Sequence, residues 1–206
     1  FTIGLPVIGR NSVWTIARFP MLGILDMFGS TVVAAYIISR RIWGLMNTPG
    51  WGFGLAASSL VGQSLGEGDE ETAETYGREI IRFSTATYLI SAGIVALLAR
   101  PIVLLFVESP SEPAVPIAIG LVYAASVAII AKGVDGTAAG ALDATGDTKW
   151  TFYSRLLGMF GVAIPITYVG AVTSLGIWGV YLAFFGETLV PAAINYYRFN
   201  SGKWKA

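Results

Sequence analysis

The stretch "SSLVGQSLGEGDEETAETYGREIIRFS", Ser58–Ser84, gathers more than a third of the chain's 13 acidic residues into one short hairpin. Its surroundings make that concentration unusual. Of 206 residues, 54% are hydrophobic and only 13% are charged, with a mean hydropathy of +0.66. A soluble domain is roughly a quarter charged. So little polar surface cannot coat a water-soluble globule, and the chain reads as an integral membrane protein. A net charge of zero supports neither a nucleic-acid partner nor a basic peripheral-membrane role. With no Cys and no His, thiol chemistry and imidazole metal sites are excluded, and no cofactor is expected. No charged segment with a small-residue cleavage site precedes the first apolar run. A chain opening on Phe1 reads as a piece of a longer one.

On either side of the hairpin lie apolar runs near the ~20 residues that a bilayer demands. They cover residues 11–28, 31–61, 72–98, 113–142, 150–171 and 176–199. The period-2 alternation of a barrel strand is missing, and hydrocarbon requires every backbone group to be paired internally, so these are helices. The predicted fold is all-α, with six transmembrane helices in one lobe. Alternating the spans puts Arg10, Arg78, Arg82, Lys149, Arg155, Arg198, Lys203 and Lys205 on one side, and Arg100 alone on the other. That bias places the amino end, the acidic hairpin, the "GDTK" loop and the carboxyl tail in the cytoplasm. The expected location is the plasma membrane, with both ends of this segment cytoplasmic.

The hairpin is then a turn between the second and third spans. Gly66 and Gly68 free the backbone for a tight reversal. Asp69 is placed to cap the next helix, and Glu70, Glu71 and Glu74 lie in its first turn, where the dipole favours acids. The acidic cluster is thus mainly helix-start chemistry.

The same words carry a resemblance. "GQSLGEGD" (Gly62–Asp69, with Gln63) and "GALDATGDT" (Gly140–Thr148, with Gly146 and Asp147) resemble the turns after the second and fourth helices of a lobe in the multidrug and toxic compound extrusion (MATE) family of cation-coupled antiporters. "GLPVIG" (Gly4–Gly9) and "STVVAAYIISRRIWGLMNTPGWGFGLAAS" (Ser30–Ser58) fit as well. Asp143 and Ala144 stand where the family pattern has Arg and Gly. The resemblance implies two six-helix lobes with substrate between them, of which this chain looks like the carboxyl-terminal one. The implied partners are the lipid bilayer, an amino-terminal lobe or a second copy as a homodimer, and a small organic cation. The implied coupling ion is H+ or Na+. Members with a carboxyl-lobe cation site carry an acid where this chain has Lys132, and some carry a Glu where it has Trp14. The driving acid is therefore either Asp135 or a residue of the other lobe.

Charge at membrane depth is costly and faces a cavity or a partner. On the first span, Asn11, Thr15, Arg18 and Asp26 share an arc of about 80° at 100° per residue, with Pro20 freeing backbone carbonyls among them. On the second, Arg40, Asn47 and Ser58 share a face, and Pro49-Gly50 is expected to interrupt the helix. Arginine keeps its proton, so Arg40 and Arg41 suit structural pairing or an anionic group rather than proton carriage. On the fourth, Lys132 and Asp135 are three apart and meet on one face, with Asp143 nearby. An acid and a base in contact there can share a proton, or simply satisfy each other. Glu187 on the last span is either a proton site or a partner for Arg155. Of the aromatics, a lobe-facing subset can stack on planar cations.

Three functions compete. The first is secondary active export of organic solutes or drugs in exchange for protons or sodium. The second is a flippase for lipid-linked oligosaccharides, which needs a basic cavity such as Arg18, Arg40 and Lys132 suggest. The third is a non-catalytic membrane subunit. An enzyme is not expected, since its resources would be limited to carboxylates.

Overall fold

The computed structural model describes residues 4–205, so Phe1–Ile3 and Ala206 of the expected lobe lie outside the described residues. The chain is helical almost throughout. The helices are α1 (Gly4–Asp26), α2 (Ser30–Gly66), α3 (Glu70–Leu97), α4 (Ala99–Leu104), α5 (Ala114–Ala128), α6 (Ile130–Ala144), α7 (Thr148–Leu156), α8 (Ile164–Val172) and α9 (Trp178–Asn200). A π-helical stretch, Leu157–Ala163, joins α7 to α8 in one rod.

One expectation needs correction. Pro49-Gly50 does not interrupt the second span, because α2 runs unbroken through Pro49 for 37 residues. The helix is closely packed there. A Cβ on Gly50 would sit 2.0 Å from the Tyr88 hydroxyl, and that hydroxyl donates to the Asn47 carbonyl and to Oδ1, at 3.3 and 3.1 Å. The break falls instead in the expected fourth span, where α5 and α6 meet at a 46° bend around Ile129. Among the described residues, Glu70–Leu97 and Thr148–Val172 are long and apolar enough to cross a membrane, and the bent pair α5–α6 makes a third if it is one span. Helices α1, α2 and α9 have the length, but their polar residues lower their apolarity.

The hairpin at Glu67–Asp69 and the turn at Thr145–Asp147 are the same structure built twice. Gly68 and Gly146 adopt left-handed φ of 78° and 81°, where a side chain would be strained. The following Asp amide donates back to the carbonyl five residues earlier, Asp69 to Ser64 at 2.9 Å and Asp147 to Leu142 at 3.1 Å. This closes the helix end with a glycine reversal. Asp69 then caps α3, its Oδ1 accepting from the Thr72 amide at 2.9 Å and its Oδ2 from the Thr72 hydroxyl at 2.6 Å.

The interior divides in two. A small cluster of Ala57, Val61, Ala73, Ile81, Ala138, Leu142, Phe199 and Trp204 lies toward these turns. A larger one from α1, α2, α5 and α9, including Met21, Leu25, Ile42, Leu121 and Phe184, fills the rest. Glycines let the helices meet backbone to backbone. A Cβ on Gly140 of α6 would lie 2.2 Å from the Gly54 carbonyl oxygen of α2, so that crossing admits nothing larger.

Candidate functional site

The charged residues of α2, α6, α7 and α9 converge inside the bundle. Asp135, on α6, is completely buried. Lys132 is one turn before it on the same face, and the two side chains pair. Arg155 of α7 reaches the same carboxylate oxygen, Oδ2, at 2.8 Å. The other oxygen, Oδ1, accepts from Asn195 Nδ2 of α9 at 2.8 Å. Ser154 Oγ donates to Asn195 Oδ1 at 3.0 Å and so holds that amide in orientation. One carboxylate therefore ties three helices together, with both of its oxygens occupied by donors.

A second site lies between α1, α2 and α9. Arg40 Nη1 pairs with Glu187 Oε1 at 2.6 Å. Aromatic rings enclose the guanidinium. Trp14 lies 4.0 Å from it, Trp43 5.3 Å, Phe184 5.4 Å and Tyr36 5.9 Å, measured to ring centroids. Ring faces attract cations most when water is excluded. These aromatics spend that attraction on the chain's own arginine.

Glu187 is therefore the partner of Arg40, and Arg155 that of Asp135. The expected alternative of Glu187 with Arg155 is replaced because α7 meets α9 at Asn195, beside Ser154, about two helical turns from Glu187, and Arg155 reaches Asp135 there. Asp143 is held by Arg10 at 2.8 Å and by Thr151, which fastens α1 to the turn end of α6. Asp147 of the second turn pairs with Arg198 at 2.5 Å. Asn47 is half-buried against Tyr88. By contrast, Asn11, Thr15, Arg18 and Asp26 are exposed on α1 and are not gathered with the buried pairs. Arg41 is likewise exposed, as are Gln63, Gly66 and Gly68, while Gly62 is half-buried against Ala144.

Sequence reasoning missed Asn195, Ser154 and the place of Trp14 over Arg40. Asn195 carried a signal, being an amide within the last apolar run. Among the described residues, no group of acids is arranged to hold a metal ion.

Long helices closed around paired charges, with small residues at their crossings, define an all-α polytopic membrane protein. The comparisons give the family. The MatE family model matches residues 6–169, and the chain belongs to the MatE family. The probable multidrug resistance protein NorM of Rhodopseudomonas palustris is 31% identical over 206 residues, covering 96% of this chain and 42% of the relative. The protein of the same name from Bradyrhizobium diazoefficiens is 28% identical over 86% of this chain and 39% of its own. Among solved structures, a MOP superfamily transporter from Pyrococcus furiosus matches with a TM-score of 0.91 at 20% identity, over 100% of this chain and 46% of that one. The chain spans less than half the length of the curated relatives it matches.

Proposed function

We propose that residues 1–206 form one six-helix lobe of a secondary active transporter that exports organic solutes in exchange for protons or sodium by alternating access. Membership of the MatE family carries this reading, and family members are transporters rather than enzymes. A second lobe completes the passage, either an amino-terminal half or a second copy of this chain, and the exposed polar arc of α1 (Asn11, Thr15 and Arg18) faces it. The lobe sits in the plasma membrane with the Gly68 and Gly146 turns and the carboxyl end in the cytoplasm. Asp135 with Lys132 is the coupling pair on this side. An acid gripped by two cations from different helices responds to any motion that parts them, and this links ion occupancy to helix position. Arg40, Asn47 and Glu187 hold the wall of the passage in shape.

Removing Asp135 alone would leave two cations without a counter-charge, so the test uses a substitution that keeps the net charge. In cells co-expressing an amino-terminal lobe, Asp135→Asn combined with Lys132→Met is expected to abolish proton- or sodium-driven efflux of a cationic dye while the chain still reaches the membrane. Undiminished ion-driven efflux in that variant would reject Asp135 as the coupling acid.

A further inference from the structure

The buried charges do not balance. Among the described residues, the ion pairs whose side chains are less than a fifth exposed join Arg10, Arg40, Lys132, Arg155 and Arg198 to Asp135, Asp143, Asp147 and Glu187. Three of those carboxylates serve one cation each, and Asp135 serves two. Lys132 and Arg155 also share a single oxygen of it, Oδ2, which draws two like charges together. In a poorly polarisable interior, an excess charge of this kind is relieved either by the lysine giving up its proton or by a counter-ion, and Arg155 keeps its proton in any case.

The geometry shows where one would sit. Asp135 is sealed, with a side-chain exposure of 0%, whereas Lys132 and Arg155 keep 13% and 19%. The two cations therefore form the rim through which the cluster meets its surroundings. An ammonium has three donors and a guanidinium five, and each spends one on Asp135. Among the described residues, the neighbouring groups offer no second carboxylate without a partner of its own. Asn195 is turned to Asp135 by Ser154, and Glu187 is held by Arg40. What remains is a donor-rich rim with one surplus positive charge. We propose that Lys132 and Arg155 bind a small monovalent anion, a halide or a carboxylate. One negative charge restores neutrality, so a divalent anion would overshoot.

The test follows thermal unfolding of the detergent-purified chain by tryptophan fluorescence. Sodium chloride and sodium acetate are compared, at matched ionic strength, with the sodium salt of a sulfonate buffer too bulky to enter. At tenfold excess over its dissociation constant, a bound anion is expected to raise Tm by about 3–6 °C. A rise in chloride alone identifies a halide site; a larger rise in acetate identifies a site for the carboxylate of an organic solute. Lys132→Arg, which keeps the charge permanently, should retain the response. Lys132→Met and Arg155→Met, which restore neutrality, should lose it. Equal Tm values in all three salts would overturn the proposal. So would an unchanged anion response in both Met variants, or a response that arises only in Lys132→Arg, which would mean that the native lysine is neutral. The readout involves no transport, so its failure and the failure of the efflux reading are separate results.

Discussion

Arg40 shows how a chain can satisfy one of its own buried cations. Its charge is answered by Glu187 at 2.6 Å, and its flat faces are covered by Trp14, Trp43, Tyr36 and Phe184. A guanidinium is weakly hydrated and stacks on rings, which an ammonium does less well. Arg40→Met leaves Glu187 buried without a partner, a loss of about 3–5 kcal/mol in stability. Arg40→Met joined with Glu187→Leu removes both charges and should recover most of that loss. Thermal unfolding of the two variants in detergent checks the order; a double variant no more stable than the single one would show that the rings, rather than the ion pair, hold the site. Each of these residues stands out in the sequence as a polar or aromatic interruption of an apolar run. Their pairing does not, because Arg40 and Glu187 are 147 positions apart and helical periodicity relates only neighbours on one helix.

Helix ends were the most legible elements, because their chemistry is local. Gly68 and Gly146 mark reversals, and Asp69 caps α3 through Thr72. The break at Ile129 and the π-helical stretch at Leu157–Ala163 have no such mark. A π segment accommodates an extra residue within a helix, and here it lies where Gly158 meets Pro191 and Gly186 of α9. Tertiary crowding, invisible in the local sequence, decides it. The cap makes a prediction with a defined pH range. Hydrogen bonds from Thr72, its hydroxyl first and then its amide, hold the Asp69 carboxyl below its ordinary value of 3.8. A carboxyl depressed in the folded state contributes stability that is fully present above the unfolded value and is lost as pH falls through the folded one. The Tm difference between the native chain and Asp69→Ala should therefore be constant above about pH 5 and shrink below pH 3.8. Measuring both chains from pH 3 to 7 checks this, and a gap unchanged at the acid end would mean that the cap works without its charge.

In the whole molecule, the turns and the carboxyl tail are fastened to one another. Glu74 at the start of α3 pairs with Lys205 at 2.6 Å, and Asp147 before α7 pairs with Arg198 near the end of α9. The acidic hairpin within Ser58–Ser84 is thus a helix start that also anchors the tail. These contacts bring the Glu67–Asp69 turn, the Thr145–Asp147 turn and the tail to one end of the bundle, the grouping that counting basic residues along the sequence suggests. The proposed six crossings with both ends cytoplasmic predict which loops face outward, and the chain's lack of Cys makes that measurable. Ser111 and Ser174 are exposed in the loops before α5 and α9, and Glu71 and Ser201 are exposed at the turn end. Each is replaced singly by cysteine, and intact cells are treated with a membrane-impermeant maleimide. Ser111→Cys and Ser174→Cys should label from outside, whereas Glu71→Cys and Ser201→Cys should label only after the cells are opened. The reverse pattern would keep six crossings and invert the lobe. Labelling of Glu71→Cys together with Ser174→Cys from outside would put both ends of the bundle on one face of the bilayer, and a lobe so placed could not form a wall of any passage through it.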